Sequence, residues 1–328
     1  MKILVTGSCG FIGYHLSKKL LESDNIVVGI DNINDYYDTN LKMKRLSFLE
    51  KEKNFTFKKV DLVESDLLDD LFLNEKFDIV INLAAQAGVR YSIENPKAYL
   101  DANLIGFFNI LEACKKHSIS KLIYASSSSV YGGNDKVPFS EDDQVDRPVS
   151  LYAATKKSNE LLAYSYSSLY KMKTIGLRFF TVYGELGRPD MAYFSFTKNI
   201  SEGKKISLFN NGNMSRDFTY IGDIVESINY LLDENLDNKI FTDKKNEYYK
   251  ILNIGNNSPV ALKKFVRILE KHIGKEAVIE YKEMQKGDVE KTFADTEKLE
   301  KITGFKPLTS LDDGLKKFVD WYKDYNER

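Results

Sequence analysis

The sequence has few of the features that point to a membrane, a disulfide scaffold or a nucleic-acid partner. Its 47 basic and 48 acidic residues leave a formal net charge of −1. Without a basic excess, neither nucleic acid nor an anionic membrane surface is an expected partner. No apolar run approaches the roughly 20 residues of a membrane-spanning helix. Only two cysteines are present, Cys9 and Cys114, which are too few for a disulfide framework, so we expect a cytoplasmic protein.

The few histidines and the first residues argue against a metal enzyme and against a signal peptide. His15, His117 and His272 are scattered and fall in helical runs. They are therefore expected to be packing or surface residues, and no metal site is predicted. The opening segment MKILVTG predicts a strand that leads into a glycine turn rather than the longer apolar region of a signal peptide.

Short β-branched runs alternate with longer amphipathic runs through the first half of the chain. Apolar residues at helical spacing predict a helix at 11–23. Strands are predicted at 2–7, 25–31, 55–61, 77–85, 121–127 and 174–180. This order predicts an α/β fold of the Rossmann type, a doubly wound parallel sheet with helices on both faces. In such a sheet, ligands bind at the carboxyl ends of the strands.

The alternation becomes less regular after about residue 181. The segments YIGDIVESINYLLDE and VALKKFVRILEKHIG predict helices, and the amphipathic segment at the end of the chain carries the only tryptophan, Trp321. No repeat or Pro/Gly-rich linker separates the two halves. We therefore predict a dinucleotide-binding domain over 1–180, with a return segment near 218–235, and a smaller substrate-binding lobe over 181–328.

A glycine-rich segment follows the first predicted strand. TGSCGFIG places Gly7, Gly10 and Gly13 between that strand and the first helix. A turn that approaches a pyrophosphate closely needs residues without Cβ, and the helix N-terminus then faces the phosphate charge. The segment lacks the Lys-Ser/Thr ending of a nucleoside-triphosphate loop. In this strand-turn-helix context it predicts a dinucleotide site.

Further residues at strand ends extend this predicted cofactor site. Asp31 ends the second strand, 18 residues after Gly13. A carboxylate there can accept both ribose hydroxyls and repels a 2′-phosphate, which favours NAD over NADP. Asp61 and Leu62 end the third strand, and the small residues of LAAQAG end the fourth. The predicted cofactor contacts are Gly7, Gly10, Phe11, Ile12, Gly13, Asp31, Asn32, Asp61, Leu62, Leu83, Ala84, Ala85, Gln86 and Lys156.

A Tyr–Lys pair opens a later helix. In LYAATKK (151–157), Tyr152 and Lys156 are four residues apart and share one helix face. Such pairs also occur on ordinary surface helices. An unperturbed tyrosine has a pKa of about 10, and a neighbouring ammonium together with a positive nicotinamide ring would lower it. Beside a dinucleotide site, the pair is therefore a candidate for proton transfer, with Lys156 also holding the nicotinamide ribose.

Together these motifs resemble the extended short-chain dehydrogenase/reductase family, which includes nucleotide-sugar epimerases and dehydratases. The resemblance rests on TGSCGFIG, Asp31, LAAQAG, SSSSVYG, YAATK and RFFTVYG, in the same order and over essentially the whole chain. It implies that Ser127 is the catalytic serine and that Ser128 and Ser129 follow it along the substrate channel. Cys9 stands where the family usually has Ala or Gly, from which we expect only a packing difference.

The resemblance also implies a reaction. Ser127 would orient the sugar hydroxyl and Tyr152 would remove its proton, while the hydride from C4 passes to NAD. If the resulting 4-keto sugar turns over in the pocket, the hydride returns to its other face and NAD, held tightly, is regenerated. An NAD-binding scaffold protein without activity is a different interpretation, against which the presence of both Tyr152 and Lys156 argues.

The serine run bears on which reaction of the family is expected. Dehydratases carry an acidic residue just after the catalytic Ser/Thr, because they must protonate a leaving hydroxyl and remove a second proton. UDP-glucuronate decarboxylases carry Glu immediately before the V-Y-G motif. Ser128 and Ser129 occupy these places here, which favours epimerisation.

Other segments resemble the UDP-glucuronate 4-epimerases within this family. They are AGVRYS, NMSRDFTYIGDIV, DNINDYYD (31–38), ELGRPDMAYFSF (185–196) and QKGDVEKTFAD (285–295). This implies C4 epimerisation of UDP-glucuronate to UDP-galacturonate. A 4-epimerase of UDP-GlcNAc or UDP-glucose is the alternative, and a decarboxylase is less favoured. The predicted substrate contacts are Arg90, Ser128, Ser129, Tyr152, Thr181, Arg188, Met191 and Arg216.

Two kinds of polar group are expected to hold such a substrate. Ser128, Ser129 and Thr181 are neutral donors for the C6 carboxylate, and by resemblance Arg188 shapes the same pocket. Arg216 is the predicted pyrophosphate ligand because guanidinium pairs bidentately with phosphate. A surface ion pair is the ordinary alternative for each arginine, Arg90 included.

Two helical segments predict association with a second copy. Residues 103–117 and the helix after Tyr152 carry apolar side chains around much of their circumference. Helices buried against a large sheet would show the same pattern. By resemblance these helices form a four-helix interface, so we expect a homodimer.

Overall fold

The computed structural model describes residues 1–284 and 290–327, so the first five residues of the QKGDVEKTFAD segment lie outside the described residues. The strands are β1 Lys2–Thr6, β2 Ile26–Asp31, β3 Phe55–Lys59, β4 Ile79–Asn82, β5 Lys121–Ser127, β6 Lys173–Phe179, β7 Thr181–Tyr183, β8 Lys205–Leu208, β9 Ser215–Tyr220, β10 Tyr249–Ile254, β11 Pro259–Ala261 and β12 Val278–Tyr281. The α-helices are α1 Phe11–Glu22, α2 Thr39–Leu49, α3 Ser65–Glu75, α4 Tyr91–Glu94, α5 Pro96–Tyr99, α6 Gly106–Lys116, α7 Leu151–Tyr170, α8 Ala192–Ser201, α9 Ile221–Tyr230, α10 Asp237–Ile240, α11 Leu262–Ile273, α12 Glu297–Thr303 and α13 Leu311–Asn326.

Seven of the strands form one parallel sheet, in the order β10-β6-β5-β4-β1-β2-β3. This confirms the predicted doubly wound α/β fold. Ile3, Leu4 and Val5 of the central strand β1 are fully buried, because helices cover both faces of the sheet. That double burial explains why β1 is a continuous apolar run rather than an alternating one.

The strand order reverses between β1 and β4, which creates a crevice at the carboxyl ends of these two strands. The glycine turn follows β1, and the LAAQAG segment follows β4. The two segments therefore lie side by side at the switch point of the sheet. This is the position that the fold offers to a dinucleotide.

The later part of the chain adds two small sheets, β11-β9-β7 and β12-β8. The helices α8, α11 and α13 pack together around Phe318, whose ring is perpendicular to that of Tyr193 at 4.9 Å between centroids. Two elements from this part lie with the first sheet: β10 pairs with β6, and α9 packs on α1. The division into 1–180 and 181–328 stays a prediction, and β10, which the sequence analysis did not identify, extends the first sheet from within the second range.

Within the described residues, the structure contains no helix that combines the length and apolar character needed to cross a bilayer.

Candidate active site

A cavity of about 460 Å³ opens at the carboxyl ends of the parallel strands. It runs from the glycine turn past the serine run and Tyr152 to Arg216. Every predicted cofactor contact lines it, and so does every predicted substrate contact except Arg90. The fold therefore brings together segments as far apart in the sequence as Gly7 and Arg216.

The glycine turn has the close approaches that its composition predicts. Gly7 has a φ of +70°, and a Cβ there would lie 2.9 Å from the main-chain nitrogen of Ala84. A Cβ on Gly13 would lie 2.1 Å from the main-chain oxygen of Gly7. Helix α1 begins at Phe11, directly behind this turn. The turn thus offers bare backbone and a helix N-terminus to the cavity, which fits the pyrophosphate of a dinucleotide.

Asp31 lies at the end of β2 with its carboxylate fixed by backbone groups. The N–H of Cys9 donates to its Oδ2 at 3.1 Å, and the N–H of Ile33 donates to its Oδ1 at 2.8 Å. Burial raises the pKa of Asp31, and these bonds together with the nearby charge of Lys42 oppose that rise. The carboxylate is therefore preorganised at the cavity wall, where it can accept ribose hydroxyls.

The Cys9 side chain is a packing group. It is fully buried, and its burial raises the pKa of the thiol to about 12. The thiol is therefore protonated at neutral pH and unreactive. Only its backbone takes part in the site, through the bond to Asp31.

The four consecutive serines lie at the end of β5 and in the 3-10 turn Ser128–Tyr131 that follows it. Within β5, Ser126 and Ser127 point to opposite sides, since side chains alternate along a strand. Ser126 is buried and donates to Oε1 of Glu160 at 2.7 Å. Ser127 points to the cavity, where its Oγ accepts a hydrogen bond from the Oγ of Ser129 at 2.9 Å. The main-chain N–H of Ser129 also donates to that oxygen, at 3.2 Å. All four serines border the cavity, but the Ser126 hydroxyl is bonded to Glu160 and is not available to a ligand.

Tyr152 lies in the first turn of α7. Ser150 caps this helix, with its Oγ accepting from the N–H of Ala153 at 3.1 Å. The N-terminal partial charge of a helix favours an anion placed in its first turn. The ring of Tyr99 meets that of Tyr152 edge to face at 6.1 Å and fixes the direction of the phenol.

Lys156 lies one helical turn further along α7. It is 3% exposed, its ammonium donates to the main-chain oxygen of Ala125 at 2.8 Å, and its Nζ is 5.9 Å from the centre of the Tyr152 ring. Burial lowers the pKa of Lys156 to about 8. Because an ammonium has three N–H groups, two remain for groups that enter the cavity.

The protonation of Tyr152 differs from the expectation. In the chain alone, burial raises the pKa of Tyr152, and the groups that oppose this rise are a hydrogen bond with Ser127 and the charge of Arg188. The ammonium of Lys156 was expected to lower this pKa, but Arg188 is the cation that does so. The physical reason is that Lys156 is itself desolvated and directed to Ala125.

The opposite end of the cavity carries the predicted substrate contacts. Thr181 and Met191 line it together with Arg188, whose guanidinium pairs with Asp190. Arg216 lines it too, and its Nη1 donates to the main-chain oxygens of Ser215 at 3.0 Å and Glu290 at 3.1 Å.

Arg90 differs from the other predicted contacts. Among the described residues it lies outside the cavity lining, with its guanidinium carbon 5.1 Å from the centre of the Phe209 ring. Its assignment as a substrate contact stays a prediction that the fold does not favour.

Two positioning residues escaped the sequence analysis. Asn103 lies in a π-helical turn, Leu100–Ile105, and is bonded to both the N–H and the C=O of Gln86 and to the Thr155 hydroxyl. Arg45 of α2 is fully buried and donates to the main-chain oxygens of three residues and to one phenol. Its acceptors are Cys9, Tyr37, Leu186 and Gly187. Neither residue belongs to a short motif, so only the fold reveals them.

The chain is similar to known proteins in sequence and in fold. The sequence model of the GDP-mannose 4,6 dehydratase family matches residues 4–318. The protein CapI of Staphylococcus aureus is 54% identical, with 100% of both chains covered. A probable UDP-glucuronate 4-epimerase of Rhizobium meliloti is 46% identical, with 100% of this chain and 98% of that protein covered.

A solved structure is similar over the whole chain. The UDP-glucuronic acid 4-epimerase of Bacillus cereus, in complex with UDP-glucuronic acid and NAD, superposes with a TM-score of 0.90 at 36% sequence identity. The superposition covers 99% of this chain and 100% of that one. The likeness therefore includes both the sheet and the part of the chain that carries Arg188 and Arg216.

Proposed function

The chain belongs to the GDP-mannose 4,6 dehydratase family of extended short-chain dehydrogenases/reductases, and on that premise we propose that it is an NAD-dependent UDP-glucuronate 4-epimerase. It would interconvert UDP-glucuronate and UDP-galacturonate through a 4-keto sugar. The observation that carries this proposal is that Arg188 lines the same cavity as Tyr152 and is close enough to act on its charge. A cation beside the proton-transferring phenol suits a sugar with a carboxylate at C6, next to the reacting C4.

The cofactor is assigned to the part of the cavity between the glycine turn and Lys156. The Gly7–Gly13 turn would hold the pyrophosphate, and Asp31 the ribose hydroxyls. Lys156, with two N–H groups available, would hold the nicotinamide ribose. NAD, when bound, supplies the hydride acceptor and donor that C4 oxidation and reduction require.

The chain's own residues then handle one proton. Ser127 hydrogen-bonds the C4 hydroxyl and aligns it with Tyr152, whose phenolate takes the hydroxyl proton as C4 is oxidised. The same phenol returns the proton when the keto group is reduced from its other face. Since burial raises the pKa of Tyr152 in the chain alone, the phenolate depends on the helix N-terminus, Ser127 and Arg188, and on the charge of a bound nicotinamide.

The acid–base groups of the cavity support epimerisation over dehydration. Among the described residues that line it, the carboxylates are Asp31 and Asp61, both on the cofactor side. The wall near Tyr152 offers the hydroxyls of Ser128, Ser129 and Thr181 instead. Elimination of a C6 hydroxyl needs an acid and a base in addition to Tyr152, and the described wall near Tyr152 carries no carboxylate for either task.

The same hydroxyls suggest how carbon dioxide is retained. A 4-keto uronate is a β-keto acid, and it loses CO2 when the breaking C–C bond aligns with the carbonyl π system. We assign to Ser128 and Thr181 the task of holding the carboxylate out of that alignment. In this account, neutral donors fix the orientation of the carboxylate and Arg188 supplies the charge.

We further propose that the chain works as a homodimer. Large apolar side chains are exposed on two neighbouring helical segments: Leu100, Ile105, Phe108, Leu161, Tyr164, Leu169 and Tyr170. Leu161 and Leu169 on α7 keep 60% and 68% of their surface exposed. Exposed apolar side chains clustered on neighbouring segments are typical of an interface between subunits.

We propose a cytoplasmic location from the state of the two cysteines. Both cysteines are buried and carry no disulfide, which suits a reducing cytoplasm. UDP-galacturonate would supply the synthesis of surface polysaccharide.

A substrate panel tests the proposed function. The purified chain with NAD is incubated with UDP-glucuronate, UDP-GlcNAc and UDP-glucose in parallel, and each mixture is separated by anion-exchange chromatography. We expect the C4 epimer of UDP-glucuronate to form at least about tenfold faster than either neutral epimer. A preference for UDP-GlcNAc or UDP-glucose would retain the catalytic account and refute the uronate assignment.

A further inference from the structure

Arg188 is already paired with a carboxylate of its own chain. Its Nε donates to Oδ1 of Asp190 at 3.0 Å, and its Nη2 donates to Oδ2. This side-on, bidentate geometry is the one that guanidinium adopts with carboxylates in general. Among the described residues, Nη1 has no hydrogen-bond acceptor, so this edge of Arg188 is the one available to a sugar.

Other contacts hold the pair in this orientation. The Tyr36 hydroxyl donates to the same Oδ2 of Asp190 at 3.3 Å, and the Arg188 guanidinium carbon lies 5.9 Å from the Tyr36 ring centre. Tyr36 and Arg188 line the cavity, whereas Asp190 is not part of its lining. The loop that precedes Arg188 is anchored by Arg45, which donates to the oxygens of Leu186 and Gly187 at 2.6 and 3.1 Å. Asp190 thus lies behind Arg188 as seen from the cavity.

The electrostatic effect of the Arg188–Asp190 pair depends on whether water or a sugar fills the cavity. The side chains of Arg188 and Asp190 keep 21% and 32% of their surface exposed, so water screens them while the cavity is open. A sugar displaces that water, and charges then interact more strongly. The C6 group of the sugar meets a nearly neutral ion pair instead of an isolated cation.

We infer that Asp190 is a specificity-determining residue that moderates how tightly Arg188 holds the C6 carboxylate. This inference rests on the proposed function. Without Asp190, the pocket end would carry a full positive charge and would hold a uronate more tightly. With Asp190 present, the C6 carboxylate binds Arg188 weakly enough to dissociate from it. The 4-keto sugar can then rotate in the pocket and present its other face to the cofactor. A neutral sugar gains nothing from the change, because its C6 hydroxymethyl carries no charge.

The test compares the charge of residue 190 with the charge of the substrate. Full-length chain with NAD and the inactivating substitution Tyr152→Phe is titrated calorimetrically with UDP-glucuronate and with UDP-glucose. Asp190→Asn should raise the preference for UDP-glucuronate, expressed as the ratio of the two Kd values, by about tenfold. Asp190→Glu, which keeps the charge, is the matched control and should leave the ratio within about twofold. Should the Asn variant fail to fold, Asp190→Ser makes the same change of charge.

Turnover provides the second measurement. With Tyr152 intact, Asp190→Asn should lower kcat and KM for UDP-glucuronate together. The reason is that tighter binding of the C6 carboxylate by Arg188 slows rotation of the 4-keto intermediate. A Kd ratio that stays unchanged or falls in the Asn variant, or that shifts equally in the Glu variant, overturns the inference. If the unsubstituted chain converts UDP-glucuronate but the ratio does not respond, only the role of Asp190 is wrong. If it does not convert UDP-glucuronate at all, the proposed function and this inference both fail.

Discussion

The ammonium of Lys156 donates to the main-chain oxygen of Ala125 across the gap between α7 and β5, at 2.8 Å. This bond fixes the helix that carries Tyr152 to the strand that carries Ser127. It also places a cation where burial makes a cation unfavourable, as the pKa of Lys156, lowered to about 8, shows. The buried ammonium of Lys156 therefore costs stability, and its presence is explained by function rather than by folding.

Replacement of Lys156 by Met should separate activity from stability. The unfolded chain has the ordinary lysine pKa of 10.5, whereas the folded chain has about 8, so the penalty for burying the ammonium is complete below pH 8. At 1.36 kcal/mol per pKa unit, the variant should gain roughly 1–3 kcal/mol of unfolding free energy at pH 7 while losing epimerase activity. Urea unfolding of the chain stripped of NAD measures the gain.

The pH dependence provides the control for this prediction. Between pH 8 and 10.5 the unfolded chain binds more protons at Lys156 than the folded chain does. The free energy of unfolding of the wild type therefore rises with pH relative to that of the variant. The difference measured at pH 7 should therefore shrink by pH 10. Lys157→Met, on the same helix but outside the cavity lining, should retain activity. A gain that does not depend on pH would refute the burial argument.

Two adjacent serines should give opposite results when they are replaced by Ala. Ser126→Ala leaves buried Glu160 without one of its donors and should cost about 1–3 kcal/mol of stability with kcat nearly unchanged. Ser127→Ala should lower kcat by about 100-fold or more with stability nearly unchanged. Thermal unfolding and initial rates for both variants measure the contrast. Equal losses of kcat in the two variants would mean that Ser126 and Ser127 do not differ in role as proposed.

Product fidelity should depend on the hydroxyls around the sugar carboxylate. Ser128→Ala or Thr181→Ala should raise the fraction of turnovers that release CO2 and UDP-4-keto-pentose, because the carboxylate can then align with the keto group. Mass spectrometry of the nucleotide-sugar products gives this fraction. Ser158→Ala on α7 is the control, because its hydroxyl donates to the main-chain oxygen of Ala154 and the residue does not line the cavity. An unchanged product ratio in both cavity variants would contradict the orientation argument.

The exposed patch on α7 should determine the oligomeric state. Leu161→Arg should convert a dimer into a monomer, because a guanidinium buried at the interface is not solvated. Leu308→Arg is the matched control, since Leu308 is 84% exposed and lies on a different segment. Size-exclusion chromatography with light scattering gives the mass of each. A dimer that survives Leu161→Arg would place the interface elsewhere.

Much of the fold could be predicted because strands buried on both faces are short apolar runs that end in unusual residues. Predicted and observed bounds of the first six strands differ by at most a few residues, and β5 agrees in full. The edge strand β10 was missed because its pairing with β6 joins segments about 75 residues apart, and nothing local in the run YYKILNIG identifies its partner. Its place in the sheet follows from tertiary packing rather than from a local signal.

The candidate site was predictable in its motifs and less so in its electrostatics. The glycine turn, Asp31, Tyr152 and Lys156 have fixed spacings that appear in the sequence. The pairing of Arg188 with Asp190 and the bonds of Arg45 depend on how loops meet, so motifs do not reveal them. The effects of burial and of Arg188 on the pKa of Tyr152 were not predicted for the same reason, since both are properties of the fold.

The central claim is that C4 is epimerised with the substrate's own hydride and that no other bond is cleaved. A proton NMR time course of the chain with NAD and UDP-glucuronate in deuterated water, with no added reductant, tests this most directly. The account predicts UDP-galacturonate that retains full proton intensity at C4 and C5, with no net NADH at equilibrium. Deuterium at C4 or C5, a pentose product with release of CO2, or conversion only of UDP-GlcNAc or UDP-glucose would contradict it.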